Sequence, residues 1–135
     1  MSVTTENITD GIDLNGDRLT AMFALQSKLQ ERLGTWDKIK DNPSMRQQFL
    51  NQMTIAMVEE VVEITRETAY KNPDFVPFGW KKTQVENTEK LKEEIVDLMH
   101  FVMNVSLVAG MDAEEMFQIY MRKNKVNHVR QDTGY

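Results

Sequence analysis

Two pairs of carboxylates lie at helical spacing inside segments that are otherwise apolar. The first pair is Glu60 and Glu63, and the second is Glu94 and Asp97. A step of three residues puts both members of a pair on one face of a helix, so two packed helices would bring four carboxylates together. A core-facing carboxylate is unfavourable unless it is paired or bound to a metal, and oxygen ligands suit hard divalent cations. The spacing therefore predicts a site for divalent cations.

The elements that must position these pairs are helices. The chain has 135 residues, of which 41% are hydrophobic, and its patterns predict an all-α fold, a compact bundle of about four main helices. Residues 1–16 are polar, contain two glycines and are expected to form a flexible arm before a single domain over 17–135. The predicted helices run from about Asp17 to Leu33, from Asn42 and Pro43 to about Lys71, from about Thr88 to Ala109, and onward from Asp112.

The third predicted helix is apolar around nearly its whole circumference. Its polar residues Glu94, Asp97 and Asn104 fall on one line along the helix, at spacings of three and seven. Four helices of this size do not surround one of their own completely, so a second subunit is expected to supply part of the cover. The expected assembly is a homodimer or a homotetramer, and the polar line is the expected lining of an internal site.

The second predicted helix repeats this arrangement. Its apolar face is formed by four side chains, Phe49, Met53, Met57 and Ile64. Glu60 falls within that face, Glu63 and Glu67 lie at its margin, and Glu59 points to the other side. A single exposed glutamate is usually a rim residue paired with a lysine. Two pairs embedded in apolar faces favour a metal site instead.

Two other classes of protein compete with this interpretation. A di-metal redox bundle would need two carboxylate-x-x-His motifs, and the chain has one, Asp97-x-x-His100. In a non-catalytic helical interaction module, the acids would form salt bridges across an interface. The apolar faces carry no equal number of basic residues, which makes that module the more distant alternative.

Amides and aromatic residues supply weaker evidence for a nucleoside site. Gln26 and Gln30 lie in the middle of the apolar stripe of the first predicted helix. A primary amide offers the donor and acceptor pair that a nucleobase edge also offers, although a core amide bonded to backbone or water explains both residues equally well. Phe75, Phe78 and Trp80 could stack on a base or form a satellite cluster of the core.

Composition excludes several classes of protein. The chain has no cysteine, so disulfide and thiolate chemistry are excluded and a reducing compartment, the cytoplasm, is expected. It has no apolar run of the roughly 20 residues that a membrane span needs, and its first residues lack the regions of a signal peptide. A net charge of −5 argues against binding of a nucleic-acid polymer. Residues 121–135 have the opposite sign, because Asp132 alone faces four cations, Arg122, Lys123, Lys125 and Arg130.

Three segments resemble the all-α nucleotide pyrophosphohydrolases, in particular the dimeric all-α dUTPases of bacteria and phages, with the MazG-like enzymes as relatives. The segments are EEVVE at 59–63, KEEIVDLMHF at 92–101 and YMRKNKVNHVRQDTGY at 120–135, and the resemblance covers about residues 20–135. The acidic motif is shared across the superfamily and does not select a base. The C-terminal pattern is more specific to the dUTPase branch and consists of Lys123, Asn127, Arg130, Gln131, Gly134 and Tyr135.

The resemblance implies Mg²⁺-dependent hydrolysis of a nucleoside triphosphate, namely dUTP to dUMP and pyrophosphate, with a MazG-like pyrophosphohydrolase of another nucleotide as the alternative. It implies four metal ligands, Glu60, Glu63, Glu94 and Asp97. The implied phosphate contacts are Lys123, Asn127, Arg130 and Tyr135, and the implied nucleoside contacts are Gln26, Gln30, Trp80 and Asn104. Many members of the family carry Asn where this chain has Gln30, which leaves the base less secure than the reaction.

Charge balance supports a metal-dependent reaction independently of the resemblance. Four carboxylates and a bound triphosphate repel each other, and two or three Mg²⁺ ions, together with Lys123 and Arg130, would neutralise them. Mn²⁺ is a possible substitute. Glu59 or Glu63 is the candidate for orienting or deprotonating the attacking water.

Overall fold

The computed structural model describes residues 8–67 and 88–134, and these residues form five helices. In chain order they are α1 (Arg18–Arg32), α2 (Thr35–Ile39), α3 (Pro43–Arg66), α4 (Thr88–Val108) and α5 (Ala113–Asp132). No strand occurs among the described residues. The all-α prediction is therefore confirmed.

Three of the helices begin with a side-chain cap where the sequence predicts a start. In each, an oxygen of the capping side chain accepts the backbone N–H three residues later, at 2.8 to 3.1 Å, and the caps are Asp17, Asn42 and Asp112. Pro43 follows the second cap at the first helical position, where its missing N–H is harmless. Hydrogen bonds from the hydroxyl and backbone N–H of Thr20 hold the pKa of Asp17 below its ordinary value.

Glycines end α1 and α4. Gly110 has a φ of +79°, and the N–H of Met111 donates to the carbonyl of Ser106 at 2.9 Å, which closes α4 in a Schellman arrangement. Gly34, with a φ of +70°, ends α1 and also precedes the short helix α2. The sequence analysis did not predict α2, because five residues are too few to show a helical period.

The end of α3 differs from the prediction. The helix ends at Arg66 rather than near Lys71, and Glu67 is its C-cap. The N–H of Glu67 is shared between the carbonyls of Glu63 and Ile64, a tightening that is common in a last helical turn.

The chain divides into two compact units. One contains residues 1–40 and 106–135, and the other contains residues 41–105. The buried apolar side chains of the first unit are Ala21, Phe23, Val108 and Ala113. Within this unit, the indole N–H of Trp36 on α2 donates to the carbonyl of Ser27 on α1 at 3.0 Å. The second unit holds α3 and most of α4, and therefore all four predicted metal ligands.

Burial along α4 is uneven. Met103 is only 3% exposed, whereas Ile95 and Val96 are 45% and 51% exposed. The expected burial on most sides therefore holds for the C-terminal part of the helix in the single chain. Cover of the remainder by a second subunit stays a prediction. Taken alone, none of the described helices is both long and apolar enough to cross a membrane, and α4 with α5 meets that test only if the two are joined across the bend between them.

Candidate metal centre

Three of the four predicted metal ligands meet in one cluster. Glu60 on α3 and Glu94 and Asp97 on α4 each offer a carboxylate oxygen, and these oxygens lie within 4.8 Å of one another. Glu63 lies close enough to this cluster for its charge to raise the pKa values of Glu60 and Glu94. The four side chains thus form one continuous acidic group.

The relative register of α3 and α4 explains why both pairs converge. Near one end of the contact, Glu60 of α3 lies beside Asp97 of α4. Seven residues away on each helix, Nδ2 of Asn104 donates to the sulfur of Met53 at 3.4 Å. Residue numbers fall on α3 while they rise on α4, so the helices are antiparallel. The same register sets Glu63 opposite Glu94, since each is three residues beyond its partner in the other pair.

The cluster is electrostatically unfavourable without a counterion. Partial burial raises the pKa of Glu60, and the neighbouring charges of Asp97, Glu63 and Glu59 raise it further. Burial also raises the pKa of Glu94, and the neighbouring charges of Glu63, Glu60 and Asp97 raise it further. The neighbouring carboxylates therefore make Glu60 and Glu94 harder to ionise. Protons or a cation would relieve the repulsion.

One oxygen of the cluster lacks a partner. Within the described residues, Oε2 of Glu60 is buried and accepts no hydrogen bond. An orphaned buried oxygen is unfavourable, and a hard cation is the partner that carboxylate oxygens bind best. Asp97, in contrast, has a side chain that is 56% exposed, so one side of the cluster is open to further ligands. The residues present therefore fit a divalent cation that also binds water or substrate.

His100 lies beside the cluster but is directed toward its own helix. Its Nδ1 is 2.8 Å from the carbonyl oxygen of Val96 and 4.0 Å from Oδ1 of Asp97. A carbonyl only accepts, so Nδ1 carries a proton and donates to Val96. Nδ1 is therefore not available to a metal, and the described residues add no second carboxylate-x-x-His motif. The alternative of a di-metal redox bundle, which needs two such motifs, gains no support.

The predicted amides on α1 are buried in the first unit. Gln26 and Gln30 are 4% and 6% exposed. The hydroxyl of Thr35 donates to Oε1 of Gln30 at 2.6 Å, which fixes the orientation of that amide and leaves its NH₂ group as the part that can serve another acceptor. Sequence reasoning missed Thr35. A hydroxyl residue directly after the helix-ending Gly34 was the feature that could have identified it.

Asn104 is deeply buried and belongs to the contact between α3 and α4. It is 3% exposed, and its Nδ2 is engaged by the sulfur of Met53. Asn104, predicted to contact the nucleoside, therefore has a hydrogen-bond partner within the second unit. Met53 was predicted as part of the apolar face of its helix but not as a hydrogen-bond acceptor, because a thioether is a weak one.

The predicted phosphate contacts form a stripe on α5, in the first unit. Lys123, Asn127 and Arg130 are exposed and follow one another at spacings of four and three, which places them on one helix face. Trp80 and Tyr135 lie outside the described residues, as do Phe75 and Phe78.

The sequence of this chain is similar to those of known phage proteins. The dCTP pyrophosphatase of Enterobacteria phage T4 is 43% identical over 68 residues, which cover 42% of this chain and 40% of that protein. The dCTP pyrophosphatase of Enterobacteria phage LZ5 is 46% identical over 50 residues, which cover 37% and 29% of the two chains. A DNA replication protein of phage T4 is 40% identical over 58 residues, 34% of this chain and 15% of that protein. No solved structure matches.

The matched segments span less than half the length of each of these curated relatives. The family described as dUTPase matches a longer stretch, residues 18–112. That stretch includes Gln26 and Gln30, all four carboxylates of the cluster and the complete contact between α3 and α4, and it ends before the basic stripe of α5. Since the match covers well over half of the chain, the protein belongs to the dUTPase family.

Proposed function

We propose that the protein is a Mg²⁺-dependent nucleoside triphosphate pyrophosphohydrolase that converts dUTP and water to dUMP and pyrophosphate. One observation carries the proposal. Glu60, Glu94 and Asp97 hold three carboxylate oxygens within 4.8 Å, and a buried oxygen of Glu60 has no partner among the described residues. Such a group binds divalent cations, and family membership supports a nucleotide as the substrate.

The acidic residues would bind the metal ions and activate the attacking water. Glu60, Glu63, Glu94 and Asp97 would hold two or three Mg²⁺ ions, and Mn²⁺ has ligand preferences close enough to substitute. Mg²⁺, when bound, polarises phosphate oxygens and lowers the pKa of a coordinated water. Glu59 and Glu63 are exposed on α3 beside the cluster, where either could orient the water or accept its proton.

The basic stripe would bind the triphosphate. Lys123 and Arg130 supply positive charge, and the guanidinium of Arg130 can bind two phosphate oxygens at once. Asn127 lies between them on the same face, and Tyr135 extends the stripe in the sequence. An anionic ligand would turn these exposed charges into charge-assisted hydrogen bonds.

Gln26 and Gln30 of the first unit are the described candidates for contacts with the bound base. Thr35 fixes Gln30 with its NH₂ group available as a donor. A donor complements O4 of uracil, whereas cytosine carries an amino group, itself a donor, at that position. The orientation of Gln30 therefore favours uracil if this amide contacts position 4 of the base.

Hydrolysis of dCTP is the second candidate. The observation that favours it is the name of the phage relatives, both of which are dCTP pyrophosphatases. Both activities release a deoxypyrimidine monophosphate and pyrophosphate. They differ only in the hydrogen-bond pattern of the base.

We also propose that the protein is cytoplasmic and acts as a homodimer or homotetramer. Support for the assembly comes from large apolar side chains that are exposed in the second unit, namely Ile55, Val58, Val62, Ile95 and Val96. Exposed apolar side chains grouped on α3 and α4 are typical of a surface that a partner covers. Light scattering at micromolar concentration should give twice or four times the chain mass, and a monomer at every concentration would contradict the proposal.

A nucleotide panel tests the reaction. Each common ribonucleoside and deoxynucleoside triphosphate is incubated with the protein and Mg²⁺, and pyrophosphate is measured. Release from dUTP, abolished by a chelator, is the expected result. Turnover of dCTP alone would favour the second candidate over dUTP. Turnover restricted to purine nucleotides would contradict both pyrimidine substrates. No turnover of any nucleotide would contradict the proposal that the protein is an enzyme.

A further inference from the structure

The contact between α3 and α4 contains one buried amide at a distance from the carboxylates. Asn104 is 3% exposed and donates through Nδ2 to the sulfur of Met53 at 3.4 Å. It lies seven residues, or about two helical turns, from Asp97, and Met53 lies seven residues from Glu60. The amide and the acidic cluster therefore share one helix face and one antiparallel register.

A sulfur acceptor gives the hydrogen bond between Asn104 and Met53 little strength, because a thioether accepts weakly. In packed helices, the best-attested role of a single buried polar residue is to specify register. Flexible methionines such as Met53 and Met57 otherwise tolerate several packings.

Register matters here because the cluster is small. A slide of one helical turn displaces the helices by about 5.4 Å. The carboxylate oxygens of Glu60, Glu94 and Asp97 lie within 4.8 Å of one another. A shift of that size would separate Glu60 from its two partners on α4.

We propose that Asn104 is a positioning residue of the metal centre, which acts through Met53 to hold α3 and α4 in the register that sets Glu60 opposite Asp97 and Glu63 opposite Glu94. The inference rests on the proposed function, because it assigns Asn104 a purpose only if the cluster binds metal. It differs from a nucleoside-binding role, in which Asn104 would affect nucleotide affinity and leave binding of the metal alone unchanged.

The first test measures Mg²⁺ binding in the absence of nucleotide. Asn104→Leu keeps the size of the side chain and removes its donor. The expected result in calorimetry is Mg²⁺ binding weakened by about tenfold, the range seen when residues that support metal ligands are changed. Ser106→Ala is the matched control, since Ser106 is a buried polar residue on the same helix, and it should leave Mg²⁺ affinity unchanged.

A second variant protects the test against a folding defect at position 104. Met53→Leu removes the acceptor at nearly constant volume, and it should weaken Mg²⁺ binding in the same direction. If the two residues act through one contact, the double variant should be no weaker than the more affected single variant. Wild-type Mg²⁺ affinity in both single variants would overturn the inference, as would losses that simply add.

The register itself can be measured without metal. The chain has no native cysteine, so spin labels can be placed at exposed positions of α3 and α4 as Gln52→Cys and Lys92→Cys. Pulsed electron resonance should give a narrow distance distribution with Asn104 present, and a shifted or broadened one in Asn104→Leu. An unchanged distribution would overturn the inference. A wild-type protein that keeps its register and binds no Mg²⁺ would instead contradict the proposed metal function.

Discussion

The acidic cluster of α3 and α4 and the basic stripe of α5 carry opposite charge, and the fold holds them in opposite ways. Glu60 and Glu94 are partly buried and lie close to the other two carboxylates, so burial and repulsion raise the pKa values of both. The cations Lys123 and Arg130 lie on an exposed helix face. Repulsive groups are kept in place only if packing elsewhere compensates for them. We therefore expect the cluster to be organised in advance for a cation, and the stripe to become ordered when an anion binds.

The largest expected effect follows from removing a charge from the cluster. Glu60→Gln should lower pyrophosphate release by more than about 100-fold, since changes to residues that only support metal ligands already cost 10 to 100-fold. The metal-free protein should unfold at the same or a higher temperature, because one repulsive charge is gone. Enzyme kinetics and thermal unfolding measure the two effects on one preparation.

Glu93→Gln is the matched control for that prediction. Glu93 precedes Glu94 on α4 and is exposed. It should retain near-wild-type activity and Mg²⁺ affinity. Equal losses in Glu93→Gln and Glu60→Gln would mean that the overall charge of the helix matters rather than the cluster.

The next prediction concerns pH. The pKa values of Glu60 and Glu94 are raised above the ordinary value of 4.5 in the folded state. Their protonated forms therefore favour folding, and their contribution is fully present below the ordinary pKa and is lost as pH rises through the raised values. Mg²⁺ needs the ionised forms, so its affinity should change in the opposite direction and fall as pH is lowered through the same window.

The measurement is a comparison between the wild type and Glu60→Gln at each pH, which removes the titration of other groups. The advantage in unfolding temperature of the metal-free variant should be greatest near neutral pH and should shrink toward pH 4.5. An advantage that grows as pH falls would have the wrong sign for a raised pKa.

A smaller effect is expected from the stripe. Lys123→Ala and Arg130→Ala should each weaken nucleotide binding by about tenfold, because a hydrogen bond to a charged group contributes about 1.5 to 3 kcal/mol. The unfolding temperature should change by less than about 3 °C, as is usual for exposed substitutions. Lys125→Ala is the control, because Lys125 lies on the opposite face of α5. Loss of nucleotide binding in Lys125→Ala alone would indicate that the phosphates bind the opposite face of α5.

The sequence predicted the helical elements and the acidic faces well, for a physical reason. Cap residues and apolar periodicity are local, so Asp17, Asn42 and Asp112 mark helix starts that the structure confirms. The spacing of Glu60 with Glu63 and of Glu94 with Asp97 predicted one face on each helix. That these two faces meet depends on the register of two segments far apart in sequence, which no local pattern specifies.

The hydrogen-bond partners of the amides could not be predicted from the sequence for the same reason. Gln30 could be recognised as a polar residue in an apolar stripe, but its partner Thr35 lies on a short helix that has no detectable period. Asn104 could be assigned to the line of Glu94 and Asp97. Its donation to Met53 required the antiparallel pairing of α3 with α4.

The smallest predicted effect concerns Gln30, the amide of α1 that Thr35 binds. Thr35→Val removes the hydroxyl that fixes Gln30, and Thr35→Ser keeps it. Loss of one buried hydrogen bond should destabilise the protein by about 1 kcal/mol. It should also reduce the preference between dUTP and dCTP several-fold, because the amide of Gln30 can then present either its oxygen or its nitrogen. A preference ratio that is the same in Thr35→Val, Thr35→Ser and wild type would remove Gln30 from the base site.

Titration of the metal-free protein with Mg²⁺, followed by calorimetry and by thermal unfolding, tests the metal centre most directly. Wild-type protein should show saturable binding, and its unfolding temperature should rise with Mg²⁺ concentration because the ion binds the folded state. Glu60→Gln should show little of either effect, and Glu93→Gln should match the wild type. A wild-type protein whose unfolding temperature does not respond to Mg²⁺, or a Glu60→Gln variant that responds equally, would contradict the assignment of the acidic cluster as a metal centre.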